Sequence, residues 1–347
     1  MLVIKARNVH EALPEALHLL AREGVERESR NGKVLVVPQP VTTLYLKPKE
    51  RVLFWPERNA NPFFHFYEAL WMLGGRNDVA SLTRFVKRMA QFSDDGITFH
   101  GAYGHRWWVH FGIAQPLIIG QRLRENHDDR RQMLQVWDVN ADLPVQEGKR
   151  DLPCNTVAHF QIVNGELDMT VFNRSNDIIW GTYGANAVHF SYLQEFIAAV
   201  AEVCVGRYWQ VSDNWHGYRT TVDPLFCLAE KRRMPPDLGP INPYDNLEPS
   251  PLINTDYNTW LSDLQMFLDE GTAAMGYRDR FFRRVALPML MVHDAYKNLA
   301  DPARHELAIE LTKRIEAKDW RKAAQEWLER RHKKYKENRL GSSKPLA

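Results

Sequence analysis

Two β-rich runs joined by a two-residue turn constrain the fold of this chain most. The runs TVAHFQIV and ELDMTVFNRS occupy residues 156–163 and 166–175, and Asn164-Gly165 separates them. The Asn-Gly pair favours the left-handed backbone conformations that a tight hairpin turn requires. The sequence therefore predicts an antiparallel hairpin that belongs to a larger sheet.

A cysteine stands at the start of this hairpin. The segment LPC leads into the first run with Cys154, and Arg174 lies near the end of the second run at a similar distance from the turn. The hairpin therefore predicts that Arg174 lies beside Cys154. A free cysteine is most often an inert core residue, whereas a reactive one needs a thiol pKa lowered by a nearby cation. Both interpretations of Cys154 stay open here; Cys204 and Cys227 are interpreted as core residues.

The cysteine count and the net charge argue against several classes of protein. Three cysteines without a CxxC pair argue against a disulfide framework and structural zinc, so a reducing cytoplasm is expected. The formal net charge of +2 gives no reason to expect a nucleic acid or a membrane surface as partner. No apolar run approaches the roughly 20 residues that span a bilayer, and the first residues lack a signal-peptide layout.

The order of helical and β-rich segments predicts the fold class. Apolar residues at helical spacing predict helices over 9–22, 61–73, 112–124, 186–204 and 258–340. Further strands are predicted over 33–47, 136–139 and 208–213, and a turn-rich loop over 93–108. This order indicates an α+β protein of packed layers. The predicted parts are a main domain over 1–235, a Pro- and Asn-rich connecting loop over 236–260, and a helical C-terminal region over 261–347 packed on the core.

Glu68 is an anomaly within the apolar helix NPFFHFYEALWML. A carboxylate in such a helix is costly unless it is paired, hydrated or protonated. One interpretation is a helix face that touches solvent or an arginine. The other is a carboxyl group with a raised pKa, suited to proton transfer.

Arg130 and Arg131 follow two aspartates in the segment HDDRR. Such a cluster is usually a solvated charged surface. Two guanidinium groups together can also bind a phosphate through paired hydrogen bonds. The sequence leaves both interpretations open.

The segment RSNDIIWGTYGANAVHF, residues 174–190, collects polar residues at a strand-to-helix transition. Asn186 stands where a helix begins, either as an N-cap or as an amide that reads a base edge such as uracil O4 and N3–H. In NWHGY, His216 and Tyr218 are two residues apart and therefore share one strand face, either in an ordinary half-buried strand or in a binding site.

Taken together, these stretches resemble the folate-dependent thymidylate synthase family, which includes the pyrimidine nucleotide hydroxymethylases. The resemblance covers roughly residues 28–220 and implies that family's layered sheet-and-helix catalytic domain. It rests on motifs that agree in order and spacing: LPC at 152–154, RSNDIIWG at 174–181, DNWHGY at 213–218, HDDRR at 127–131, FYEALWML at 66–73 and GAYG at 101–104.

The resemblance implies catalytic roles for a few residues. Cys154 would add to C6 of a pyrimidine nucleotide and make C5 nucleophilic. Glu68, with ordered water, would relay protons, and Tyr103 would help to remove the C5 proton. Arg174 would bind the 5′-phosphate and, with the other arginines, favour the Cys154 thiolate.

The resemblance also implies a set of binding residues for dUMP and for the co-substrate 5,10-methylenetetrahydrofolate, with no metal, no membrane and no direct nucleic-acid partner. The implied assignments are Ser175 and Arg30 on the 5′-phosphate, Arg130 and Arg131 on the same phosphate from the partner subunit of a homodimer, His216 and Tyr218 on the 3′-hydroxyl, Asn186 on the base, and Asp177 and Gly181 on the pterin.

Departures from the family pattern bear on the product. Residues 85–100 contain no tryptophan, Asn155 replaces the usual histidine, Tyr183-Gly184-Ala185 replaces the Pro-Phe before the base reader, and the chain does not end in a short apolar tail. A site without that tryptophan and tail should admit water, which favours a hydroxymethyl product over a methyl product.

The resemblance thus favours hydroxymethylation of dUMP, as used for hypermodified phage DNA in a host cytoplasm. The alternatives are a thymidylate synthase that makes dTMP and, less favoured because Asn rather than Asp stands at position 186, a dCMP hydroxymethylase.

Three alternative functions are weighed against this resemblance. A zinc nucleotide deaminase needs a PCxxC pair and a histidine ligand motif, and no cysteine follows Cys154 at that spacing. A nucleic-acid-binding module is suggested by the basic run RRHKKYKENR at 330–339, although such a run is usually a solvated helix face. A nucleotide-binding relative without folate chemistry would not need Cys154.

Overall fold

The computed structural model describes residues 1–144, 149, 151–232 and 242–342. The chain divides into two compact units, one of Met1–Leu53 with Phe64–Asp245 and one of Phe54–Phe63 with Asn246–Ala347. The predicted main domain covered residues 1–235. It therefore included Phe54–Phe63, which the structure groups with the second unit. Residues 236–241 of the predicted connecting loop lie outside the described residues, and its last residues are helical.

The first unit is built on one mixed sheet. The described strands are β1 Leu2–Ala6, β2 Val25–Ser29, β3 Gly32–Val36, β4 Val41–Tyr45, β5 Met133–Gln135, β6 Asn155–Val163, β7 Glu166–Asp177 and β8 Cys204–Tyr218. Their order is β1-β4-β8-β7-β6-β5, and β3 joins β2 to the far part of β8. The pairs β1–β4 and β7–β8 are parallel, and the other pairs are antiparallel.

The predicted hairpin is confirmed as β6 and β7. Asn164 and Gly165 have φ values of 53° and 80°, the left-handed conformations that the turn requires. A register shift lies between Asn155 and Val157, so one extra residue on β6 changes the pairing toward the open end of the hairpin.

Helices cover this sheet in the first unit. The described helices are α1 Val9–Glu23, α2 Pro62–Leu73 (its first two residues belong to the second unit), α3 Val79–Thr83, α4 Tyr103–His105, α5 Gln115–Glu125, α6 Val139–Asp142, α7 Asn186–Ala201 and α8 Arg219–Arg232. Helix α7 is buried on almost every side, and Gln194 within it donates to the carbonyl oxygens of Leu167 and Arg207 at 2.7 and 3.0 Å. This packing anchors α7 to β7 and β8, and the unit is an α+β layer structure.

The second unit is helical in its described part. It contains α9 Tyr257–Glu270, α10 Leu287–Asn298, α11 Ala303–Thr312 and α12 Lys318–Ser342. Trp260 packs on Phe282 with ring centroids 5.4 Å apart, and Phe63 packs edge-on to Trp327 at 5.6 Å. Among the helices of the described residues, none combines the length and apolar character needed to cross a membrane.

Most predicted elements are confirmed, with two exceptions near the middle of the chain. The predicted strand over 136–139 is wrong, since β5 ends at Gln135 and Val139 begins α6. Asp138 caps that helix by accepting hydrogen bonds from Asn140 N at 2.9 Å and Ala141 N at 3.4 Å. The predicted loop over 93–108 contains α4 and a turn of π-helix, Arg106–His110.

Candidate active site

Cys154 and Arg174 lie opposite each other at the open end of the β6–β7 hairpin. The Arg174 N–H donates to the Cys154 carbonyl oxygen at 3.0 Å. The Arg174 guanidinium donates to the carbonyl oxygens of Pro153 at 2.9 Å and Leu152 at 3.2 Å. The prediction that Arg174 lies beside Cys154 is therefore confirmed, and these bonds hold the guanidinium next to the cysteine segment.

The environment of the Cys154 thiol differs from the expected one. Burial raises the pKa of the Cys154 thiol, while the charges of Arg174 and Arg30 act to lower it and Asp151 acts to raise it. The two arginines act in the direction expected for a reactive thiol, but the loss of solvation outweighs them. The cations that favour the Cys154 thiolate thus act against the effect of burial on the thiol pKa.

Tyr103 lies against the cysteine segment. Its hydroxyl oxygen accepts from the Cys154 N–H at 3.4 Å, and burial raises the pKa of Tyr103 far above its usual range. The neighbouring Gly104 fixes this position, because a Cβ there would lie 2.0 Å from the carbonyl oxygen of Met72 in α2. Tyr103 is thus a neutral phenol at the site, able to orient and donate a hydrogen bond.

The ends of β7 and β8 bring two predicted binding motifs together. In the parallel register Ser175 pairs with Asn214 and Asp177 pairs with His216. The rings of His216 and Tyr218 lie 5.6 Å apart, which confirms their shared face. The β2–β3 turn that carries Arg30 reaches the same place, since β3 pairs with β8 at Tyr218. Carboxyl ends of parallel strands are a common place for ligand sites.

Asn186 belongs to a buried network of amides. It is the first residue of α7, and its amide nitrogen donates to Asn176 Oδ1 at 3.1 Å and lies 3.4 Å from Gln210 Oε1. Asn176 in turn donates to Gln210 at 2.6 Å and to Ser212 Oγ at 3.0 Å. The N-cap interpretation of Asn186 is therefore wrong. The network engages the Asn186 amide nitrogen, which leaves the amide oxygen as the acceptor of this side chain.

Glu68 is buried in α2, with 6% of the residue exposed. Its Oε2 lies 2.9 Å from Nε2 of His189, which is 2% exposed on α7. The interpretation of Glu68 as a solvent-facing residue is therefore wrong. His189 was missed by the sequence reasoning, although it stands one helical turn after Asn186 and so shares its helix face.

Asp177 ends β7 and caps a π-helical segment, Ile178–Ala185, which carries Trp180 and Gly181. Asp177 Oδ1 accepts from the backbone N–H groups of Ile179 at 2.9 Å and Trp180 at 2.6 Å. The Trp180 side chain is large and 54% exposed. Gly181 is required by close packing, since a Cβ there would lie 2.4 Å from Asn176 Oδ1. Asp177 thus caps this segment through its carboxylate, and the segment presents the Trp180 indole at the surface.

Arg130 and Arg131 are not near Cys154 along the sheet. The Arg130 carbonyl oxygen lies 3.4 Å from His159 Nε2, and His159 stands about 16 Å along β6 from Cys154 at ~3.3 Å per residue. Arg131 is exposed and pairs with Asp129 through two contacts of 2.9 Å, which lowers the pKa of that carboxyl. The fold thus does not join these arginines to the other candidate residues within one chain.

Asp151 is a second residue that the sequence reasoning missed. Burial raises its pKa, and its charge acts on both Cys154 and Tyr103. Gly101 lies against it, because a Cβ on Gly101 would be 2.8 Å from Asp151 Oδ1. Its place three residues before Cys154 was the available signal. In the described part of the chain, no group of three or more His, Cys, Asp or Glu side chains is arranged to hold a metal.

The family comparison matches the region that carries this site. A model of the family described as Thymidylate synthase matches residues 15–251. That match includes every residue of the candidate site, from Arg30 to Tyr218.

Individual relatives match different lengths of the chain. It is 54% identical over 340 residues to the Deoxyuridylate hydroxymethyltransferase of Pseudomonas phage M6, a match covering 95% of each chain. It is 36% identical over 197 residues to the protein of the same name from Bacillus phage SP01, covering 54% of this chain and 51% of that one. A third such protein, from Delftia phage PhiW-14, is 27% identical over 309 residues and 85% of each chain.

Proposed function

Because the chain belongs to the thymidylate synthase family, we propose that it transfers a hydroxymethyl group to C5 of dUMP, with 5,10-methylenetetrahydrofolate as co-substrate. One observation carries the choice of reaction: the high identity, along nearly the whole of both chains, to the phage M6 protein named for deoxyuridylate hydroxymethyl transfer. The three phage relatives also support a place of action in the cytoplasm of a phage host.

Cys154 is the nucleophile in this proposal. Its sulfur bonds to C6 of the uracil ring, and the electrons of the C5–C6 double bond move to C5 and the O4 carbonyl, which makes C5 a carbon nucleophile. Since burial raises the thiol pKa, Arg174 and Arg30 are needed to lower the cost of forming the thiolate. This explains why guanidinium groups stand beside a half-buried cysteine.

The nucleotide is held at the ends of β7 and β8. Arg174, Ser175 and Arg30 bind the 5′-phosphate, and His216 and Tyr218 bind the 3′-hydroxyl. Asn186 reads the base: its oriented amide oxygen accepts N3–H of uracil, a hydrogen that neutral cytosine lacks. The arrangement therefore favours dUMP over dCMP.

The remaining residues handle protons and the co-substrate. Glu68 relays protons at O4 and C5, and Tyr103, a neutral phenol, orients the groups around C5. Asp177, Trp180 and Gly181 would hold the pterin. When bound, the folate supplies a one-carbon unit at the oxidation level of formaldehyde.

A homodimer is the active unit in this proposal. Arg130 lies near His159 in the middle of β6, about 16 Å along the strand from Cys154 at ~3.3 Å per residue, which supports the assignment of Arg130 and Arg131 to the phosphate site of a partner subunit. The outer face of the sheet supports such pairing, since Val157, Phe172 and Val211 are adjacent across three strands and Phe172 is 41% exposed.

Mass analysis of the nucleotide tests the proposal directly. The protein is incubated with dUMP and methylenetetrahydrofolate, and we expect dUMP to gain one CH2O unit while tetrahydrofolate is released. A gain of CH2 with release of dihydrofolate would instead identify a thymidylate synthase. Turnover of dCMP but not of dUMP would contradict the role given to Asn186.

A further inference from the structure

His189 and Glu68 form a buried pair between two helices of the first unit. His189 lies on α7 and Glu68 on α2, and their Nε2 and Oε2 atoms are 2.9 Å apart. Both residues are more than nine-tenths buried. An imidazole this close to a carboxylate can exchange a proton with it, directly or through a shared third group.

The two side chains do not satisfy each other's hydrogen-bonding groups. Despite the short distance, the ring N–H of His189 is not aligned for a hydrogen bond to Glu68. Among the described residues, Glu68 Oε2 and both His189 ring nitrogens have no hydrogen-bond partner. Buried polar groups in proteins are normally satisfied, and unsatisfied ones together indicate a site for a small polar ligand. A water molecule fits, because it can donate to the carboxylate and accept from or donate to the imidazole.

The pair lies on the side of the site where the base would be. His189 follows Asn186 by one helical turn, and the next residue, Phe190, has its ring 6.3 Å from that of Tyr103. The Tyr103 hydroxyl contacts the Cys154 backbone at 3.4 Å. These contacts place the pair on the Asn186 and Tyr103 side of the site, which is the side assigned to the base in the proposed function.

We propose that His189, together with Glu68, holds and orients the water that becomes the hydroxyl group of the product. This inference rests on the proposed hydroxymethyl transfer and identifies the residue that directs it to water. The inference gives a role to His189, a buried histidine within α7 that does not cap the helix.

The step balances without an added oxidant or reductant. In the intermediate, C6 is bonded to the Cys154 sulfur and C5 carries an exocyclic methylene group. The water oxygen bonds to the methylene carbon, the π electrons move to C5 and O4, and the water proton passes to the Glu68–His189 pair. The electrons then re-form the C5–C6 double bond and break the C6–S bond, which releases 5-hydroxymethyl-dUMP and the Cys154 thiolate.

The alternative is that His189 only keeps Glu68 in place. The two roles differ in which step depends on the histidine. Loss of a purely structural partner would slow C5 proton removal, which needs Glu68, as much as it slows product formation. Loss of the water-holding residue would spare C5 proton removal and slow only the addition of water.

The test compares these two steps in His189→Gln. Tritium release from dUMP labelled at C5 measures proton removal, and an added small thiol competes with water for the methylene group. We expect tritium release within about threefold of the unaltered protein, and a ratio of hydroxymethyl product to thioether product at least about tenfold lower. Added imidazole should restore the ratio in His189→Ala, which provides a second variant if the glutamine protein folds poorly.

The control is His305→Gln, which removes a buried histidine of the second unit. Its product ratio should match that of the unaltered protein. Equal losses of tritium release and hydroxymethyl product in His189→Gln, with an unchanged ratio, would overturn the inference. If the unaltered protein makes no hydroxymethyl product at all, the proposed function itself fails, and that outcome is distinct from a failure of the His189 role.

Discussion

Each of the two compact units buries a carboxylate, and the two carboxylates are held differently. In the second unit, the fully buried Asp279 accepts hydrogen bonds from Asn254 N at 2.8 Å, Thr255 Oγ at 2.7 Å and Phe281 N at 2.7 Å. In the first unit, Glu68 is nearly as buried, but its Oε2 has only the poorly aligned His189 within reach among the described residues.

This difference separates two uses of a buried charge. Asp279 is fully supplied with donors, so its charge stabilises the loop and helix start around it. Glu68 keeps an oxygen that the described residues do not satisfy, which destabilises the fold slightly but leaves the carboxylate able to act on a ligand. We therefore expect substitutions around Glu68 to change turnover and substitutions around Asp279 to change stability.

Cys154→Ser should have the largest effect, at the site that Glu68 serves. We expect turnover to fall by at least about 10⁴-fold, because a hydroxyl is a far weaker nucleophile toward C6. Binding of dUMP should survive, since the phosphate and sugar contacts remain. Product analysis and equilibrium binding check this, with Cys227→Ser, an exposed cysteine, as control. Substantial remaining turnover would rule out the thiol mechanism.

Glu68→Gln tests the expectation that Glu68 serves turnover rather than stability. We expect turnover to fall by about 10²–10³-fold, the range for loss of a proton-transfer group. The free energy of unfolding should change by less than about 1 kcal/mol, because the lost carboxylate had few donors to begin with. Urea unfolding and steady-state rates measure the two quantities. A large loss of stability would show that Glu68 is as structural as Asp279.

Asp279→Asn tests the expectation that Asp279 serves stability rather than turnover. We expect the free energy of unfolding to fall by about 2–4 kcal/mol, because an amide nitrogen would face N–H donors and charge-assisted bonds would be lost. Turnover per folded molecule should stay within about twofold of normal. Urea unfolding with activity measured well below the transition checks this. Lost turnover with unchanged stability would contradict the distinction.

Arg174→Gln should have the smallest measured effect of these substitutions, a change in the reactivity of the Cys154 thiol. Arg174 acts to lower this thiol's pKa, so its removal should raise the pKa and shrink the thiolate fraction at every pH below it. We expect iodoacetamide to react with Cys154 roughly 3–10-fold more slowly at neutral pH, with the pH midpoint shifted upward.

The interpretation of Cys204 and Cys227 as core residues is wrong, since both are exposed, and both are therefore replaced by serine for this measurement. Arg207→Gln is the matched control, because that guanidinium pairs with Asp168 at 2.7 Å and is not among the charges that act most on the thiol. An unchanged or faster alkylation rate in Arg174→Gln would mean that this arginine does not set the thiol pKa.

Local sequence patterns predicted most of the elements. The apolar spacing of α1 and α2, and the Asn164-Gly165 turn, act over a few residues and were confirmed. The strand predicted over 136–139 was wrong, and the reason is also local. The Asp138 side chain caps the helix that begins at Val139, so the chain does not continue as a strand. The boundary of the second unit was not predicted, because Phe54–Phe63 joins residues nearly 200 positions away.

The candidate site shows how far sequence reasoning reaches. Motif spacing found Cys154, Arg174, Asn186, His216 and Tyr218, which the sheet register brings toward one end of β7 and β8. Motif spacing missed His189, because the residues near this histidine in the sequence do not indicate which side chain it contacts. That partner is Glu68 on a helix more than a hundred residues earlier, so only packing shows the pair.

By itself, the sequence determined the hairpin, the residue types at its open end and the lone carboxylate of α2, because turn chemistry and helical spacing depend on near neighbours. Tertiary structure alone decided two further points. The partner of that carboxylate, His189, is brought to it only by the packing of α7 against α2. The raised thiol pKa arises from burial, which depends on how many atoms surround the sulfur, and those atoms come from distant parts of the chain.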